Sequence, residues 1–261
     1  MSSAGSATFN GVKVGRGANN ITSNTAVGGA TLTANTTGTY NSAFGLGSLL
    51  NNQTGSNNTS FGGDNLFYNI SGNNNTAIGK GALVSTTGSN NTAIGQNAGV
   101  NITTESNSTC LGYNAQVSAS NQVQLGDSAT TTYVYGTVQN RSDIRDKAEV
   151  RDTVLGLDFI NELRPVDYKW DMREDYKTEA LDQINNLTHD GTHTRTRYHH
   201  GLIAQEVKDV IEASGVDFGG FQDHSVNGGQ DVLSLGYTEL IAPMIKAIQL
   251  LTARINVLEG N

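Results

Sequence analysis

NTAIGKGALVSTTGSNNTAIG, residues 75–95, contains the same pentapeptide twice, 16 positions apart. Variants lie on both sides: NTAVG (24–28), NSAFG (41–45), NTSFG (58–62), then NSTCLG (107–112) and VQLG (123–126). The closing glycines, at 28, 45, 62, 79, 95, 112 and 126, are 17, 17, 17, 16, 17 and 14 residues apart. Such regularity marks an array of one small structural unit. A repeat of about 17 residues is too short for a helix pair and suits one coil of a β-solenoid, built from short strands and tight turns. Glycine and asparagine suit turn positions with positive φ.

Each closing glycine is preceded by a large apolar residue: Val27, Phe44, Phe61, Ile78, Ile94, Leu111 and Leu125. Four repeats add a leucine four residues after the glycine, at Leu32, Leu49, Leu66 and Leu83. This fixed apolar register argues against a disordered low-complexity tract. With one or two anchors per coil, a lone chain is expected to bury too little surface to offset roughly 1–2 kcal/mol of backbone entropy per ordered residue. Several chains packed around one axis would enlarge the core. The Asn-x-Ser/Thr triplets, such as Asn20–Thr22, read as exposed turn residues.

Charge divides the 261 residues unevenly. Residues 1–126 hold Lys13, Arg16 and Lys80 against Asp64 and Glu105, a balance of +1; the remainder holds 13 basic and 22 acidic residues, a balance of −9. Two compositions imply two domains. Neither half interleaves basic and aromatic residues, so nucleic acid is not an expected partner. No run of about 18 apolar residues occurs, so membrane insertion is not expected. The start, MSSAGSATFN, lacks the pattern of a secretory signal. The only cysteine, Cys110, excludes an intrachain disulfide and reads as a small, partly buried side chain. A glycosidase needs two carboxyl groups about 5–10 Å apart. Asp64 and Glu105, the array's only acids, lie 41 positions apart. That is more than two coils, so a pair within one chain is not expected; a pair between neighbouring chains stays open.

Beyond Gly126, residues 130–138 are rich in Thr, Tyr and Val, a strand composition, and residues 127–141 read as a neck strand. DTVLGLDFINELRP reads as a helix capped by Asp152, with Val154, Leu157, Ile160 and Leu163 on one stripe and Pro165 as its stop. VDYKW (166–170) alternates like a strand. His189 and His193 would share a helix face and suit a metal, but Gly191 and flanking threonines favour a loop, so neither metal nor cofactor is expected. GLIAQEVKDVIEASG (201–215) leads into an amphipathic helix ending at Gly215, and DVLSL is a short strand. In the last segment Ile241, Met244, Ile248, Leu251, Ile255 and Leu258 are spaced 3, 4, 3, 4, 3, a heptad seam. A helix packed on its own domain fits the same pattern. Ile at a with Leu at d, taken alone, leans toward two strands. Pro243 belongs to the first turn or marks a kink.

RSDIRDKAEV (141–150) forms the seam between the halves. A serine becomes a nucleophile when a base takes its proton. A lysine amine does this once its pKa, about 10.4 in water, is brought to roughly 7–8 by burial. Arg145 would assist that for Lys147, whereas Asp143 or Asp146 would oppose it. Ser142 and Lys147 are five apart, neither a helix-face nor a same-side strand spacing. They can meet through a turn or between chains, and both routes stay open. A turn cap is the other reading of Ser142.

Over residues 24–126 the repeats resemble the head repeats of trimeric autotransporter adhesins, which implies a trimeric β-roll. SDIRDK, ELRPVDYKW, HGLIAQEV and the YTELIAPMIKAI helix, in this order over residues 142–261, resemble the endosialidase-type intramolecular chaperone auto-processing domain of phage tailspikes and tail fibres. The resemblance implies a domain that trimerises, helps a preceding β-fibre fold, and cuts itself off with a Ser–Lys dyad. By motif, Ser142 and Lys147 are the dyad, the bond between Arg141 and Ser142 is cut, and Asp143, Gln205 and Glu206 give support. Asp146 stands where the family usually has an apolar residue. The architecture implied is an attachment segment (1–23), a mainly β fibre (24–126), a neck strand (127–141) and an α+β chaperone domain (142–261) ending in a long helix. The function implied is a homotrimeric fibre of a tailed phage virion. It would join other tail or neck proteins through its N-terminus and meet a host-surface glycan or protein, with the chaperone released in the host cytoplasm. A single-turnover self-cleavage is the only enzymatic activity expected. A bacterial surface adhesin with the same chaperone is the alternative.

Overall fold

The structure, a computed structural model, describes residues 6–178, 186–226 and 230–260. It comprises two compact units: residues 1–132 with 172–190 and 225–230, and residues 133–171 with 191–224 and 231–261.

The first unit is a β-solenoid of about six turns. It opens with a hairpin of β1 (Ala7–Phe9) and β2 (Val12–Gly15), and β2 pairs antiparallel with β3 (Thr25–Val27). Then β4 (Ser42–Phe44), β5 (Thr59–Phe61), β6 (Thr76–Ile78), β7 (Thr92–Ile94), β8 (Thr109–Leu111) and β9 (Val123–Leu125) follow, each parallel to the one before. The segment expected as an attachment arm thus contributes strands to the same sheet.

In a three-residue strand the middle side chain points opposite to the outer two. The register stacks Ala26, Ala43, Ser60, Ala77, Ala93 and Cys110 in one row, and all are buried. Burial pushes the Cys110 thiol up to about 11. The large residues before the glycines therefore face outward, with Phe61 59% and Ile94 43% exposed. This corrects their reading as core anchors: strand parity puts them on the outer side with the threonines. The interior is filled instead by Leu32, Leu49, Leu66 and Leu83, with Ile102 in the coil that lacks the leucine; all five are 0% exposed.

The asparagines supply a second correction. Asn20 is exposed as read, but Asn35, Asn52, Asn58 and Asn69, which open triplets of the same kind, are buried, and so are Asn24, Asn41, Asn75 and Asn91. Asn58 Oδ1 accepts the Asn75 N–H at 2.9 Å, and its Nδ2 donates to the Gly72 carbonyl at 2.9 Å. The pattern repeats coil after coil, from Asn24 to Asn91. Asn35, Asn52 and Asn69 form another ladder, Nδ2 to Oδ1 across coils. Buried amides satisfied in this way stabilise; left unpaired they cost about 1–3 kcal/mol each. One chain thus closes its own interior, so the premise that a lone coil has too little core does not hold. What remains unpartnered is the outward apolar row.

Local strain is built into each coil. The four interior leucines have φ between 48° and 50°, a left-handed conformation costing about 1–3 kcal/mol per residue. Their burial and their amide bonds to the next coil, such as Leu49 N–H to Asn65 O at 3.0 Å, offset it. Gly62 has φ +137°, and a Cβ there would meet the Gly79 carbonyl oxygen at 2.6 Å.

The second unit holds α1 (Leu157–Glu162), β10 (Val166–Tyr168) paired antiparallel with β11 (His199–Gly201), α2 (Ala204–Ser214), β12 (Phe221–Asp223) paired with β13 (Leu233–Leu235), and α3 (Ile241–Glu259). Leu155, Phe159, Val207, Phe218 and Leu240 form its core. Helix α2 ends at Gly215 in the left-handed conformation, as its sequence predicts. Helix α1 is shorter than expected. Its cap is Gly156, whose backbone is not helical, and the turn through Asp152 and Val154 is not helical either. Residues 127–141, all described, hold no strand, and 129–141 are exposed. Their Thr/Tyr/Val composition favours strand only where a neighbour completes the ladder. Residues 189–193 lie outside any helix; the histidine-containing stretch 176–200 is partly outside the described residues.

Candidate active site

A short 3-10 turn, residues Ile144–Asp146, shapes the seam. Asp143 caps it by accepting the Arg145 N–H at 2.9 Å, and the Lys147 N–H closes it onto the Ile144 carbonyl at 3.1 Å. The turn folds the chain back so that Lys147 Nζ donates to Ser142 Oγ at 2.7 Å. The turn bridges the five-residue spacing within this one chain. Both side chains are exposed.

Four charges surround the pair and are matched among themselves. Arg145 bonds the Asp143 carboxylate through Nε and the guanidinium terminus, and holds that carboxyl below its usual range. Arg141 clasps Asp146 with two parallel bonds, Nε to Oδ2 at 2.7 Å and Nη2 to Oδ1 at 2.9 Å. The two acids that could compete for the Lys147 amine are each engaged by an arginine. An amine at this distance from a hydroxyl is within reach for proton transfer, which requires the amine to be neutral.

Glu206, in the first turn of α2, is engaged elsewhere. It forms a two-bond ion pair with Arg164, one bond from Nε at 3.0 Å, which lowers the Glu206 pKa. Gln205 is exposed beside it. The order of the motif stretches nevertheless has a spatial meaning. ELRPVDYKW and HGLIAQEV meet through the β10–β11 ladder and the Arg164–Glu206 pair. The Leu202 N–H donates to the Tyr237 hydroxyl at 2.9 Å, which ties in the start of the last helix. Sequence reading singled out neither Arg164 nor Tyr237. Their signal lay in the quoted motifs, where an arginine before proline and a tyrosine at a helix start are otherwise ordinary.

Among the described residues no group of three or more His, Cys, Asp or Glu side chains could hold a metal. In the array, Glu105 accepts the Thr103 and Thr104 amides at 2.7 and 3.1 Å, a local turn role.

Neither curated proteins nor solved structures gave a match to this chain. Residues 142–216 match the Peptidase_S74 family, the chaperone of endosialidase. The match begins at the serine of the pair and takes in the 3-10 turn, both motif stretches and α2. Following the β-solenoid in sequence, residues 142–216 therefore form a chaperone-of-endosialidase domain.

Proposed function

We propose that the chain is a homotrimeric structural or attachment fibre of a tailed phage, whose C-terminal domain drives trimerisation and folding and then severs itself before Ser142. The observation that carries this reading is the 2.7 Å contact between Lys147 Nζ and Ser142 Oγ at the first residue of the chaperone domain. Ser142 Oγ attacks the Arg141 carbonyl carbon as Lys147 takes its proton. The C–N bond then breaks, the Ser142 nitrogen receives the proton, and Arg141 is left as an ester on Oγ. Water hydrolyses the ester, releasing residues 1–141 with a carboxylate end. Tethering supplies a high effective molarity, so one turnover is enough.

Two unpartnered apolar rows support companion chains. One is the solenoid's outward row, from Phe44 to Leu125. The other lies on α3: Pro243 and Ala247 face its own unit, whereas Ile241, Met244, Ile248, Leu251, Ile255 and Leu258 are exposed. The stretch Tyr237–Glu259 also has the length and mean hydropathy, 1.3, of a bilayer span. Lys246 and Arg254 interrupt it, and the heptad spacing fits a helix bundle better. In a single chain Lys147 is exposed. Burial by neighbouring chains would favour its neutral form, so cutting would follow assembly.

Mass spectrometry of the freshly expressed chain tests the cleavage. The expected wild-type product is cut between Arg141 and Ser142, and Ser142→Ala stays whole. A wild-type chain that remains intact under all folding conditions would remove the protease. The adhesin-like repeats favour a second setting, a bacterial surface adhesin with the same chaperone. Finding the processed fibre on cell envelopes instead of virions would establish it.

A further inference from the structure

Resting on the self-cleavage reading, we propose that Asp146 is a positioning residue for the cut: it anchors the Arg141 side chain and thereby fixes the Arg141 carbonyl that Ser142 attacks. Three observations carry this. Arg141 and Asp146 form a two-bond clasp across the scissile bond, with distances of 2.7 and 2.9 Å. Such forked arginine–carboxylate pairs fix orientation as well as distance. The clasp spans the same five residues as the Ser142–Lys147 contact and closes over the same 3-10 turn. The nucleophile, its base and the acyl residue are thus held by two parallel cross-links one position apart, 141 to 146 and 142 to 147. Arg141 lies in an exposed stretch with no helix or strand to hold it. Without the clasp, nothing else that the structure shows restrains the acyl side of the bond.

Misplacement of a reacting group by about 1 Å can cost up to roughly 100-fold in rate. The clasp is exposed, so its removal is expected to slow cutting by less, about tenfold. The experiment follows the cleavage rate of the full-length chain by mass spectrometry for wild type, Asp146→Asn, Arg141→Gln and the double variant, with Ser142→Ala as the uncut reference. If Asp146 acts through Arg141, the double variant is no slower than the slower single variant, and Asp146→Glu recovers most of the rate. Raising salt to about 1 M slows wild type more than Asp146→Asn, since the exposed Asp143–Arg145 pair is screened in both and the Arg141–Asp146 pair only in wild type. A role in mere stability would instead lower the melting temperature and leave the rates additive and equally salt-sensitive. Wild-type cutting that Ser142→Ala abolishes and Asp146→Asn leaves at full rate would overturn the clasp alone. Absence of wild-type cutting, or cutting that persists in Ser142→Ala, would overturn the dyad reading and the clasp with it.

Discussion

At the residue scale, this chain shows that polarity is a poor guide to what lies inside a narrow coil. Asn58 is 0% exposed and satisfies three neighbours, the Asn75 amide, the Gly72 carbonyl and the Asn41 side chain. Replacing it with the similarly branched but apolar leucine leaves buried partners without bonds. Asn58→Leu is therefore expected to destabilise the solenoid by about 2–4 kcal/mol, despite adding apolar surface. Urea unfolding followed by far-ultraviolet circular dichroism measures this, and an unchanged or higher midpoint would contradict it. Asn69 shows where such a ladder stops. Its Oδ1 is buried without a partner, and the equivalent residue one coil later is Thr86, whose hydroxyl accepts the Gly88 N–H. The repeat shortens by one residue in that coil, so the amide row is not continued.

At the element scale, repeat length and strand position were legible in the sequence, and the facing of the strands was not. Spacing of the glycines located β3 to β9 because backbone geometry, which only glycine tolerates beside a stacked coil, recurs at that interval. Facing failed because a large apolar residue was equated with the interior. On a three-residue strand only one side chain points in, and here that position admits Ala, Ser or Cys. In the second unit, α2 and α3 were readable from apolar period and the glycine stop at 215. The short α1 was not, since Gly156 inside an apolar stripe starts a helix that Asp152 seemed to cap. The Ser142–Lys147 contact was legible as two residue types in a motif. Its geometry was not, because a 3-10 turn leaves no periodicity. The β12–β13 hairpin carries a pH signature. His224, just past β12, is partly buried with Nε2 2.8 Å from Ser234 Oγ, and burial holds its pKa below the usual 6.5 while Asp223 opposes this weakly. Well above pH 6.5 the ring is neutral in both folded and unfolded chains. As pH falls below that value the unfolded chain takes the proton first, so stability is lost, an effect that solvent screening keeps small for a ring only partly buried. Fluorescence of Trp170, the sole tryptophan and part of this unit, is expected to report a melting temperature that drops between pH 7 and pH 5. The drop is expected to shrink in His224→Gln, and an identical drop in that variant would assign it to another group. Loss at lower pH, where Asp143 and Glu206 with their lowered pKa values take protons, is a separate step.

At the scale of the whole molecule, both units leave an apolar row uncovered, one on a sheet and one on a helix. Three copies are expected to give a solution mass three times 27.6 kDa before processing, measured by light scattering. Placing charges in the helical row, as Ile248→Asp with Leu251→Asp, is expected to return the chain to single copies and, with Lys147 left in water, to suppress cutting. A double variant that still assembles and still cuts would transfer the assembly role to the solenoid row. The solenoid's in-register stacking carries a further consequence. Each coil rests on the last through the same ladders, so inserting one more 17-residue unit adds about 4.8 Å of reach without altering the cross-section or exposing new edges. Shaft length can thus be tuned by duplicating or losing short in-frame stretches of the gene, independently of the machinery that finishes the product.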